Sequence, residues 1–190
     1  MHEPLQVPTV YLERMEEHIT DNDNRLMYHA MVSMLDDVVG NVTTEMMTEG
    51  LWNNTLFLLT SDNGGPSYNA AHTANNFPLR GSKLSDWEGG VRVTAFVAGG
   101  WVPANQRGTE RLGLIAIADW HKTFCELRGP TSSSSGAASS RCGVDAAAAA
   151  AGLPPLDSIS MVDYLRGDEP NSPRLELQVD SNVLLKGACE

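Results

Sequence analysis

Along this 190-residue chain the spacing of apolar positions changes from segment to segment. Met27, Met31, Met34, Leu35, Val38, Val42 and Met46 recur three and four apart, the period of one helix face. Asp21 to Asp23 offer cap candidates ahead of that run and Gly50 a stop after it. The stripe is expected to face a core, with Asp36 and Asp37 marking the solvated side. Residues 2–12 carry two prolines and read as extended, irregular chain. Residues 55–60 (TLFLLT) form a short apolar run after the helix, the pattern of a buried parallel strand. Residues 91–98 (VRVTAFVA) and 112–118 (LGLIAIA) give two more strand candidates. Asp119 is placed to cap a helix running to Leu127, closed by Gly129-Pro130.

Beyond that helix the pattern stops. Residues 131–151 are Ser-rich and then Ala-rich, a low-complexity stretch read as linker or insertion. Residues 153–190 resume with a short helix candidate (SISMVDYLRG) and a late strand candidate (RLELQV). The expected class is α/β: a mostly parallel sheet flanked by helices, then a small C-terminal appendage. Three parts follow, at 1–130, 131–152 and 153–190.

Composition narrows the function. The chain is 42% hydrophobic and 19% charged, with 24 acidic against 13 basic residues and a formal charge of -11. No Lys/Arg cluster supplies the basic face that nucleic-acid binding needs. An anionic substrate would need a local cationic pocket. No apolar run reaches the roughly 18 residues of a membrane span, and no signal-peptide pattern opens the chain. Cys125, Cys142 and Cys189 are widely spaced and lack the spacing of a zinc site. Asn41-Val42-Thr43 and Asn53-Asn54-Thr55 are glycosylation sequons, which point to the secretory pathway.

Asp62-Asn63-Gly64-Gly65 follows the first strand candidate, where open α/β sheets bind ligands. A carboxylate beside a carboxamide offers the hard oxygens that calcium or magnesium takes. The same four residues also suit an Asx turn. Next come Asn76-Phe77-Pro78-Leu79-Arg80-Gly81-Ser82-Lys83 and Trp87-Glu88-Gly89-Gly90-Val91-Arg92, in which Arg80 and Lys83 could pair with an anion or sit on a solvated loop. His2, in His2-Glu3-Pro4-Leu5, is by position alone a chain terminus.

These motifs together resemble the sulfatase family of the alkaline-phosphatase superfamily, and most closely its arylsulfatase B (N-acetylgalactosamine-4-sulfatase) type. The runs HEPLQVP, YHAMVSMLDDVVGNV, GLWNNTLFLLTSDNGG, NNFPLRGSKLSDWEGGVR and ADWHKTF stand in the family's order, and PLDSISMVDYLRG with SPRLELQVD resembles its closing segment. The resemblance implies an alkaline-phosphatase-like fold and a sulfuric ester hydrolase acting on a sulfated carbohydrate or aryl sulfate. It assigns Asp62 and Asn63 as calcium ligands, and Lys83 and His2 as catalytic residues that contact the sulfate. It further implies a formylglycine nucleophile, and a lysosomal or extracellular location. The family's Cys-x-Pro-Ser-Arg segment and its upstream aspartate pair do not occur in the sequence. Lys122 stands where the family carries proline. The chain is therefore expected to be the C-terminal portion of a sulfatase, inactive alone. The alternative is a non-catalytic sulfatase-like remnant or binding module.

Overall fold

The computed structural model describes residues 4–18, 22–67, 74–128 and 150–187. The chain divides into two compact units, Met1–Trp101 and Val102–Glu190.

The first unit opens with a helix where extended chain was expected. Pro8 holds φ at -59° in the N-cap position, and its carbonyl accepts from Tyr11 N–H, starting α1 (Thr9–Glu16). α2 (Asp23–Thr48) starts on the Asn22 side chain, which accepts from Arg25 N–H. It ends where Gly50 takes a positive φ of 70°. There Leu51 N–H reaches Met46 O and Gly50 N–H reaches Met47 O, the paired bonds of a glycine-terminated helix.

The polar side of α2, rather than its methionine stripe, receives α1. Arg14 donates to Ser33 Oγ and Asp37 Oδ2, each at 3.1 Å. The Tyr11 phenol is held protonated to higher pH than usual, first by its hydrogen bond to Asp37. Ala30, the buried residue of α2, falls on this side with Ser33 and Asp37. The stripe itself stays open: Met34, Leu35, Val38 and Val42 are 36–45% exposed.

β1 (Phe57–Thr60) and β2 (Ala95–Ala98) pair antiparallel, with Phe57 opposite Ala98 and Thr60 opposite Ala95. This corrects the parallel pairing expected of these two strands. A parallel partner needs a crossover back to the starting end. Instead the segment between them closes on the end where β1 finishes, with Ser61 N–H bonded to Thr94 O. The only helix within the described part of that segment is the single turn α3 (Glu88–Val91).

In the second unit, residues 112–118 form no strand, against expectation, because side chains satisfy their backbone. Gly113 N–H donates to Tyr164 Oη, Ala116 N–H to Asp119 Oδ2, and Ser172 Oγ donates to Leu114 O. α4 (Asp119–Leu127) follows, with Asp119 as its first residue rather than its cap. The Asp119 carboxylate, 0% exposed, also accepts from Ile159 N–H and pairs with Arg174 at 2.7 Å. The expected late helix is α5 (Val162–Arg166), which packs on α4 and stops at Gly167. The late strand is β3 (Glu176–Asp180), joined by an antiparallel partner, β4 (Val183–Lys186). Residues 153–187 thus share one core with α4, built on Trp120, Met161, Tyr164 and Leu165. Lys122 N–H, which a proline would lack, donates to Ser158 Oγ.

Candidate functional site

The site is built on the loop that joins β1 to β2. Gly65 is its hub. Asn76 donates from Nδ2 to Gly65 O at 2.8 Å and accepts Gly65 N–H on Oδ1 at 2.8 Å. The same amide reaches Gly81 O, and Lys83 N–H donates to Gly65 O at 3.2 Å. Gly64 N–H meets Gly90 O at 2.8 Å, and Gly89 N–H meets Arg80 O at 2.7 Å. Three backbone segments therefore cross without side chains between them. A Cβ on Gly64 would overlap the Gly89 carbonyl, and one on Gly89 would overlap that of Gly81, so glycine is required for the approach.

This frame gathers three of the four proposed site residues at one end of the hairpin. Asp62 is exposed and accepts its neighbour's N–H, from Asn63, on Oδ1 at 3.0 Å. Its other carboxylate oxygen has no partner among the described residues, and neither does the half-buried Asn63 carboxamide. Lys83 is half-buried, and its ammonium makes no hydrogen bond or ion pair among the described residues. The neighbouring cations are engaged. Arg80 lies 3.9 Å over the Trp87 ring, and Arg92 pairs with Glu88 at 3.6 Å. His2 lies outside the described residues.

Two hard oxygen donors suit calcium, which takes about six to eight. Among the described residues no group of three or more His, Cys, Asp or Glu side chains gathers. Asp62 and Asn63 fit the ion as part of a ligand set. Of the two sequons, Asn41 and Asn53 are both exposed. Cys125 is disulfide-bonded.

Pattern reading gave no role to Asn76, although an Asn ahead of a Pro-Gly loop is a known backbone-bonding signal. It also gave none to Arg25, Tyr28, His29 and Asn75, which line a cavity of about 520 Å³.

A family model described as Sulfatase matches residues 1–129. Arylsulfatase J of Mus musculus is 39% identical over 127 residues, covering 67% of this chain and 20% of that protein. Steryl-sulfatase of Rattus norvegicus is 41% identical over 76 residues, covering 37% of this chain and 13% of that protein. A crystal structure of Ps i-CgsB in complex with k-i-k-neocarrahexaose aligns with TM-score 0.66 at 26% identity, over 88% of this chain and 32% of that one. The chain thus spans a fifth or less of these two curated relatives.

Proposed function

Because the chain belongs to the sulfatase family, we propose that it supplies the calcium- and sulfate-contacting part of a sulfuric ester hydrolase. Its fold is α/β and alkaline-phosphatase-like. The observation that carries the reading is the Gly65 hub, which ties Lys83 to the Asp62-Asn63 turn. It leaves that lysine without an intramolecular partner among the described residues.

In this reading Asp62 and Asn63 each place an oxygen on calcium, and Lys83 offsets charge on the sulfate oxygens as the ester bond breaks. Such fixed charge is the term expected to dominate transfer reactions. His2 assists the leaving oxygen as a proton donor. Calcium, when bound, polarises the sulfate. The nucleophile is a formylglycine, which the present sequence does not encode in a Cys-x-Pro-Ser-Arg segment. The substrate is a sulfated carbohydrate or an aryl sulfate; the arylsulfatase B type rests on the motif runs. A secretory location, lysosomal or extracellular, is supported by the Cys125 disulfide and by the exposed sequon residues Asn41 and Asn53. No helix among the described residues is long and apolar enough to cross a membrane.

The chain alone should hydrolyse no aryl sulfate above background, since a covalent step cannot be replaced by positioning. Grafted in place of the 127 matching residues of arylsulfatase J, it should support turnover. Turnover by the isolated chain that Lys83→Ala abolishes, or a folded graft without activity, would overturn the reading. The second outcome would favour a non-catalytic binding module.

A further inference from the structure

We infer that Asn76 is a positioning residue of the proposed site: its carboxamide clamps the Asp62-Asn63 turn to the segment that carries Lys83. The inference rests on the sulfatase reading above. It adds a residue that acts through the backbone rather than on calcium or sulfate.

The clamp follows from the chemistry of the amide. Oδ1 accepts Gly65 N–H at 2.8 Å, and Nδ2 donates to Gly65 O at 2.8 Å and to Gly81 O at 3.2 Å. A primary amide has one acceptor oxygen and two donor hydrogens, so these three bonds fix its orientation and call for its residue type. Gly65 lies two residues after Asn63, and Gly81 two residues before Lys83. The bridged glycines therefore belong to the two halves of the site. The loop aims the half-buried side chain: Asn76 O accepts Leu79 N–H at 2.8 Å, and Asn75 Oδ1 accepts Phe77 N–H at 2.9 Å.

Lys83 is also held from its other side. Ser82 N–H donates to Ser85 Oγ at 3.1 Å and Ser85 N–H to Ser82 O at 3.0 Å. Between them Leu84 sits at a φ of 73°, which a bulky residue keeps only where its surroundings over-determine it. Lys83 thus lies between a clamped carbonyl and a strained turn. A misplacement of about 1 Å can cost about 100-fold in rate, so the clamp bears on turnover. It is separable from the fold of the loop. The bonds from Gly64 N–H to Gly90 O and from Gly89 N–H to Arg80 O cross the same segments without Asn76.

Two variants test the clamp. Asn76→Asp keeps the shape and an acceptor but loses both donors, setting a carboxylate against two carbonyls. Asn76→Ala removes the amide altogether. In hydrogen exchange of the chain itself, Lys83 N–H should exchange roughly tenfold faster or more in both variants. Ser61 N–H, bonded to Thr94 O at the hairpin end, should be unchanged. In the arylsulfatase J graft at saturating calcium, both variants should lower kcat roughly tenfold or more, with KM moving less than about threefold. Unchanged exchange at Lys83, equal acceleration at Ser61, a loss carried by KM, or an Asp variant that behaves like Asn would overturn the inference. The last result would mean that the side chain only fills space. A graft inactive with Asn76 in place fails the sulfatase reading instead, and exchange at Lys83 still decides the clamp.

Discussion

Arg174 and Asp119 show how much one pair of side chains can hold. Their side chains are 5% and 0% exposed, and two hydrogen bonds of 2.7 Å join them. The Arg174 guanidinium is held protonated above its usual range, first by its bond to Asp119. Breaking such a buried pair from one side leaves an uncompensated charge and costs about 3–5 kcal/mol. Arg174→Met should therefore destabilise the second unit by that amount in denaturant unfolding. A loss under about 1 kcal/mol would show that water reaches Asp119 in solution. At the other unit, Tyr11 titrates above its ordinary 10.0 because of Asp37. The sign follows: its contribution to stability is present below pH 10 and disappears as pH rises through the raised value. Ultraviolet titration should show a late-ionising phenol that is missing in Tyr11→Phe. If all phenols titrate together in both proteins, the bond to Asp37 is absent.

Between residues and elements lies the matter of what the pattern could say. The period of α2 and its Gly50 stop were legible, because helix spacing and a positive-φ glycine are local properties. Which face α1 would take was not. That depends on Arg14 and Tyr11 finding Asp37 across the pair, a contact no periodicity encodes. Residues 112–118 failed as a strand for a related reason. Their apolar run is real, but Tyr164, Ser172 and Asp119 hold the backbone that a neighbouring strand would have used. Asp62, Asn63 and Lys83 were legible as types, while Asn76, which ties their loop together, was not. The open stripe of α2 yields a prediction at this scale. Val38 and Val42 are each 45% exposed and lie on one contiguous apolar face. The protein should bind a dye that reports apolar surface, and Val38→Gln with Val42→Gln should reduce that signal without lowering the melting temperature. Unchanged dye binding, or a fall of more than a few degrees, would mean that the stripe is covered in solution.

For the whole molecule, the sulfatase assignment and the loop geometry make one connected claim: the β1–β2 connection carries two different chemical duties. In the proposed reading the turn at Asp62 and Asn63 would serve a cation, and Lys83, whose backbone is tied to it through Gly65, would serve an anion. These duties separate under substitution. Asp62→Asn keeps a donor oxygen of similar reach and removes only charge, so it tests whether calcium is held by carboxylate. Lys83→Ala would remove the proposed partner of the sulfate and leave the proposed calcium oxygens in place. The most direct measurement is calorimetric calcium titration of both variants in the arylsulfatase J graft, with turnover read alongside. The account predicts weakened calcium affinity with activity partly restored at high calcium for Asp62→Asn, and near-normal calcium affinity with reduced turnover for Lys83→Ala. Wild-type calcium affinity in the Asp62 variant, or lost calcium binding in the Lys83 variant, would contradict it.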